Sequence, residues 1–196
     1  MVGKTSETAP MALVLLAAGA SRRFGENKLL YPINGKPMYR YMADMGENMG
    51  DVFQEKIVVT GYDEIIRDLS ARNWTVVENR EPEAGISRSV ALGVKAIRER
   101  LLQGAICFAV CDQPYLTEAT CRKFLREWSG SGYGLGSLAF GEQEGNPAVF
   151  SDRYWEELEH LTGDRGGRQV LRRHREDVFF YQASDARELK DMDRKL

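Results

Sequence analysis

Apolar positions along the chain fall into two kinds of run. Residues 12–18 (ALVLLAA), 56–60 (KIVVT), 74–77 (WTVV) and 105–111 (AICFAVC) are mostly apolar throughout, as expected of parallel strands covered on both faces. Between them the spacing is helical, over 38–48, 64–72 and 87–103, the last with Val90, Val94, Ile97 and Leu101 on one face. Gly35-Lys36-Pro37 turns the chain into the first helix, and Thr117, a good N-cap type, opens a further one. Strand–helix alternation of this kind implies a parallel sheet with right-handed crossovers. Beyond that helix the rhythm changes. Residues 134–140 and 147–150 flank GEQEG and predict a hairpin. Helices follow over 153–161 and 167–173, then a short strand over 178–181 and a charged end. No internal repeat and no long linker divides the pattern. The expectation is a polar, mobile tail over residues 1–10, then one α/β domain over residues 11–196. That domain is three-layered, helices on both faces of a mostly parallel mixed sheet.

Composition narrows the partners. A chain of 196 residues buries roughly 70% of its unfolded surface, so neither disulfides nor a structural metal is needed. The formal net charge of −2 supplies no basic field for nucleic acid or an anionic membrane. No run approaches the ~20 apolar residues of a membrane span. Residues 11–18 with Ala18-Gly19-Ala20 imitate a secretion signal, but the preceding segment carries Glu7 beside a single lysine. Cleavage there would also remove the first strand. Cys107, Cys111 and Cys121 lack C-x-x-C spacing and read as small core hydrophobes of a cytoplasmic protein.

The chemistry concentrates where the first strand ends. In an open α/β sheet, ligands bind beyond the carboxyl ends of the strands. Ala17-Ala18-Gly19-Ala20-Ser21 has side chains small enough for close backbone approach, and its successive N–H groups can form an anion nest. Arg22, Arg23 and Lys28 follow at once, which suits a polyphosphate. Five residues separate Gly19 from Gly25, and Lys28 comes three later. The loop is therefore neither a Walker A sequence nor a G-x-G-x-x-G fingerprint.

LAAGASRRFGENKLL followed by GKPM resembles the signature of nucleotidyltransferases with the nucleotide-diphospho-sugar transferase (GT-A-like) fold. Three further segments narrow the resemblance. GISRSV (85–90) looks like the family's base-reading stretch, and CDQPYLT (111–117) like the strand end that supplies a magnesium ligand. GNPAVF (145–150) with LTGDRGGRQVLRRH (161–174) is similar to the molybdenum cofactor cytidylyltransferase branch. The resemblance runs over residues 12–193. It implies that Leu16, Ala17, Ala18, Gly19, Ser21, Arg23, Gly25, Lys28, Gly85, Ser89 and Asp112 bind the nucleotide. Arg23, Lys28 and Asp112 would be the catalytic set, and Asp112 with Asp191 would hold magnesium. Three positions and one motif depart from the pattern: Phe24 replaces Met, Cys111 replaces Gly, and Asn146 replaces the His of many relatives. The closing acidic motif survives as DMD (191–193), in which Asp191 is favoured over Asp193.

The implied reaction moves CMP from CTP to the terminal phosphate of molybdopterin and releases pyrophosphate. Such a nucleophile is already anionic, so no general base is needed; His160 and His174 are expected on helices, facing solvent. Alignment and charge neutralisation are what the site must supply. Where relatives that use guanine read A-G-G, this chain reads Ala17-Ala18-Gly19, and the extra methyl reduces the room for a purine. A molybdenum hydroxylase is the expected recipient of the product. Three rivals stand beside this reading: a cytidylyltransferase of a sugar or polyol phosphate such as methylerythritol phosphate, a non-catalytic cofactor-binding chaperone, and a secreted binding protein. The isoprenoid enzymes carry Pro-Lys-Gln after the loop, which ENKLLYP lacks.

Overall fold

The computed structural model describes residues 9–19, 24–25 and 27–193. Strand β1 (Met11–Ala17) is followed by a two-stranded ribbon, β2 (Pro32–Ile33) and β3 (Lys36–Pro37), and by helix α1 (Met38–Asn48). Next come β4 (Glu55–Thr60), α2 (Asp63–Ser70), β5 (Thr75–Glu78), α3 (Ile86–Arg98), β6 (Ala105–Val110) and α4 (Glu118–Ser131). The chain continues through β7 (Leu135–Phe140), β8 (Gln143–Ser151), α5 (Trp155–Glu159), α6 (Arg168–Arg173) and β9 (Val178–Gln182). Seven strands form one sheet in the order β5-β4-β1-β6-β8-β7-β9. In this sheet only β8 is antiparallel to its neighbours, β6 and β7; every other pairing in it is parallel. The three-layer α/β arrangement read from the sequence holds.

Period-2 alternation along β1 builds two cores. Leu13, Leu15 and Ala17 point to the face covered by Met38 and Met42 of α1, Ile65 and Leu69 of α2, and Phe124 and Trp128 of α4. Ala12 and Val14 point to the opposite face, under Val90, Val94 and Ile97 of α3, Trp155 and Leu158 of α5, and Val170 and Leu171 of α6. Burial of a side chain such as Leu13 or Val94 stabilises by about 1.5–3 kcal/mol. Two covered faces are why these strands read as continuous apolar runs. The three cysteines are buried in the first core. Burial pushes all three thiols up, Cys121 to about 12, so they are un-ionised at neutral pH. Among the described residues no helix is long and apolar enough to cross a membrane.

Several boundaries differ from expectation, and one element was not expected. Helix α3 ends at Arg98 rather than 103; Leu101 still packs on the core, but Leu102 is fully exposed. Gly104 then turns the chain at φ +131, donating its N–H to Asp152 at 3.0 Å. The turn between β7 and β8 is shorter than GEQEG, because β8 begins at Gln143. The β2–β3 ribbon was not expected; its turn, Asn34-Gly35, has both residues at positive φ, the signal of a two-residue hairpin. His160 and His174 stand at the C-terminal caps of α5 and α6. His160 is exposed, whereas His174 is half-buried, with its Nε2 2.7 Å from Glu157.

Candidate active site

Parallel pairing puts the carboxyl ends of β1, β4, β5 and β6 on one rim, since Leu16 lies between Val59 and Val110 in register. The reversed direction of β8 brings its beginning to the same rim, with Ala148 opposite Phe108. Residues 144–146 therefore arrive there although they begin their strand. Two cavities open along this rim, of about 430 and 470 Å³. They share Leu16, Ile86, Val110, Asp112 and Asp164 in their linings, so Asp112 stands on the boundary between them.

The first cavity collects much of the expected nucleotide set. Leu16, Ala18, Gly19, Lys28, Gly85, Ser89 and Asp112 line it, with Phe24 and Asp193. Ala17 and Gly25 do not line it. Ala17 is buried beneath the loop and its carbonyl accepts the Thr60 hydroxyl at 2.9 Å. Ser21, Arg22 and Arg23 lie outside the described residues. Tyr62, ahead of α2, donates its hydroxyl to the Gly19 carbonyl at 2.6 Å, tying the loop to the next crossover. Gly85 has φ +84, and a Cβ there would stand 2.7 Å from the Gly163 carbonyl oxygen. Both the conformation and the close approach require glycine. Of the departures, Phe24 is buried edge-on to Tyr31, ring centroids 5.4 Å apart. Cys111 is likewise buried, its thiol within the first core.

Charge is concentrated around Lys28. Its ammonium donates to Asp112 Oδ2 at 2.6 Å and to Asp193 Oδ1 at 3.0 Å. Burial works against the charge of Lys28, but Asp112 and Asp193 outweigh it and raise its pKa above the ordinary amine value. Asp191 lines the second cavity, where Gln113 Nε2 donates to its carboxylate at 2.8 Å and to the Leu189 carbonyl at 3.1 Å. Burial, reinforced by the negative charge of Asp112, raises the Asp191 carboxyl above its usual range. Asp112 Oδ1 is buried without a hydrogen-bond partner among the described residues.

These residues fit a divalent cation. A buried carboxylate oxygen without a donor and a second carboxylate destabilised by it are both relieved by positive charge. Among the described residues no group of three or more His, Cys, Asp or Glu could hold a metal. The fit is to a hard cation that takes one or two carboxylates and completes its shell with phosphate oxygens and water, as magnesium does.

The second cavity differs in character. Arg165, Arg168 and Arg172 line it with Glu144, Asn146 and Ser137; Arg168 and Arg172 are four apart on α6. Glu144 is ion-paired with Arg175 from outside the cavity. The sequence reading placed 145–150 and 161–174 in the match but did not single out these arginines, nor Gln113, Asp164 or Tyr62. Their i, i+3, i+7 spacing over 165–172 was the available signal.

A family model described as the MobA-like NTP transferase domain matches residues 13–178. The chain belongs to that family. It is 35% identical over 82 residues to a probable molybdenum cofactor guanylyltransferase of Pyrococcus horikoshii, covering 40% of this chain and 42% of the relative. A probable guanylyltransferase of Bacillus licheniformis matches at 26% over 140 residues, 71% of this chain and 68% of that one. A 2-C-methyl-D-erythritol 4-phosphate cytidylyltransferase of Rhodopirellula baltica is 32% identical over 88 residues, 43% of this chain and 36% of its own length. The chain spans from about a quarter to two thirds of the length of the curated relatives it matches. Among solved structures, a nucleotidyl transferase from Methanothermobacter superposes with a TM-score of 0.77 at 24% identity, covering 94% of this chain and 92% of that one. The molybdopterin-guanine dinucleotide biosynthesis protein A of Archaeoglobus fulgidus superposes at 0.69 with 18% identity over 94% and 93%. The chain thus carries a MobA-like NTP transferase domain with the GT-A-like fold.

Proposed function

We propose that this MobA-like enzyme is a cytidylyltransferase that joins CMP from CTP to the terminal phosphate of molybdopterin and releases pyrophosphate, with magnesium. The observation that carries the reading is the pair of cavities meeting at Asp112. A nucleotide in the first and an anionic acceptor against Arg165, Arg168 and Arg172 in the second would bring both substrates to one carboxylate. The match to a cytidylyltransferase and the Ala18 methyl in the lining support the base.

Holding the reactants in line and neutralising their charge is the work left to the protein. Asp112 and Asp191 would hold magnesium, which when bound draws charge from the phosphate oxygens. Lys28 orients the Asp112 carboxylate by its 2.6 Å contact; with Arg23 it would offset charge on the transferred and leaving phosphates. The acceptor phosphate attacks as its dianion, so no proton has to be removed. Neither histidine lines either cavity. We further propose that the enzyme works in the cytoplasm and that a molybdenum hydroxylase receives the product.

The relatives named as guanylyltransferases favour GTP as the second reading of the same site. Pyrophosphate release with CTP, GTP, molybdopterin and methylerythritol phosphate in all pairings tests the reaction. Release with CTP only when molybdopterin is present is expected. Release with methylerythritol phosphate alone overturns the acceptor.

A further inference from the structure

Asn79, just beyond β5, is buried beneath the nucleotide cavity and is 2% exposed. Its Oδ1 accepts the Glu81 backbone N–H at 3.1 Å and Arg88 Nε at 3.3 Å. Arg88 is held in turn by Glu81 at 2.9 Å. Both partners of Oδ1 can only donate, so the amide has one admissible orientation. Its Nδ2 therefore faces Ser89 and donates to Ser89 Oγ at 2.9 Å. That contact occupies an acceptor lone pair of the hydroxyl, and among the described residues no side chain or carbonyl receives its proton. Ser89 is 5% exposed and lines the first cavity.

We propose that Asn79 is a positioning residue that fixes Ser89 as a hydrogen-bond donor to the nucleotide's base. The inference rests on the first cavity being the nucleotide site and deepens the cytidylyl reading. A hydroxyl held this way suits a base edge that presents acceptors, as cytosine does at N3 and O2. It suits a ring N–H at the same place less well, as uracil has at N3 and guanine at N1, because accepting it on the remaining lone pair leaves the hydroxyl proton without a partner. Cytosine and uracil have nearly the same shape, so comparing them separates this polarity from cavity size. A site whose polar group meets the wrong partner discriminates more strongly than one that merely loses contact.

The test is calorimetry of magnesium CTP, UTP and GTP on the unaltered protein, Asn79→Asp, Ser89→Ala and the double variant. A carboxylate at 79 can only accept, so Ser89 would turn its proton toward it. The preference for CTP over UTP should fall about tenfold in Asn79→Asp, the worth of one ordinary hydrogen bond. Ser89→Ala should lower it similarly, and Asn79→Asp should add nothing in that background, as coupling through one hydroxyl requires. Asn79→Ala removes the donor without burying a charge and should lower the preference partly; it decides the matter if Asn79→Asp does not fold. A CTP to UTP ratio untouched in a folded Asn79 variant overturns the relay alone. Tighter binding of GTP than CTP by the unaltered protein overturns the cytidylyl reading alone.

Discussion

The two oxygens of Asp112 have different surroundings. Oδ2 receives Lys28 at 2.6 Å, while Oδ1 is buried with no partner among the described residues. A buried acceptor left unmade costs about 1–3 kcal/mol, a cost that a bound cation would remove. Asp112→Asn keeps the size of the side chain, and the backbone carbonyl of residue 112 still accepts the Met192 N–H at 2.9 Å. The variant is therefore expected to fold, with turnover reduced by about a thousandfold, since one metal contact contributes several kcal/mol to the transition state. Pyrophosphate release together with thermal denaturation checks both halves. Near-normal turnover in the folded variant removes Asp112 from the mechanism. The aspartate itself was legible through the resemblance of CDQPYLT to a family strand end. The choice between Asp191 and Asp193 was not, because it depends on which of them Gln113 and Lys28 reach, and those contacts span more than 75 residues.

Among the elements, those with both faces buried were the easiest to read, because continuous burial writes an unbroken apolar run. Strands β1, β4 and β6 appear within one residue of their expected limits. Elements set by turns were harder. The β2–β3 ribbon is two residues per strand, too short for any period, and β8 carries Glu144 and Asn146 where its first half lines a polar cavity. Helix α4 shows a local signal with a distant consequence. Thr117 Oγ1 caps the helix by accepting the Thr120 N–H at 3.2 Å, and it donates to Glu188 Oε1 at 2.7 Å. Glu188 is 4% exposed, so the same hydroxyl latches the segment carrying Asp191 and Asp193 to the start of α4. Thr117→Ala should cost about 2 kcal/mol, one cap plus one bond to a buried carboxylate. For a chain of this length that lowers the melting temperature by roughly 6 °C. Thr117→Ser keeps both contacts and should restore most of the loss; an unchanged melting temperature in the alanine variant would dismiss the latch.

For the whole molecule, the decisive quantity is the difference in binding between two nucleotides on one rim. The strand order fixes that rim, and the sequence reading located it because four of its parallel strands end there. Under the proposed reading, what would distinguish the bases is smaller: the Ala18 methyl at the wall of the first cavity, the Gly85 backbone, and the Ser89 hydroxyl held by Asn79. The methyl acts by volume, and removing a single methyl or methylene from a pocket changes discrimination by only about 1–3 kcal/mol. The polar groups act by leaving an unpaired donor against the wrong edge, which carries its own penalty. Together they predict at least about a hundredfold advantage of CTP over GTP in kcat/KM, roughly 3 kcal/mol. Ala18→Gly should admit the purine without producing good GTP use, since Ser89 and Asn79 are unchanged. Both nucleotides competing in one pyrophosphate-release assay, with the products separated, measure the ratio directly. Equal use of GTP by the unaltered protein would leave the MobA-like nucleotidyltransferase intact and refute its cytidylyl specificity.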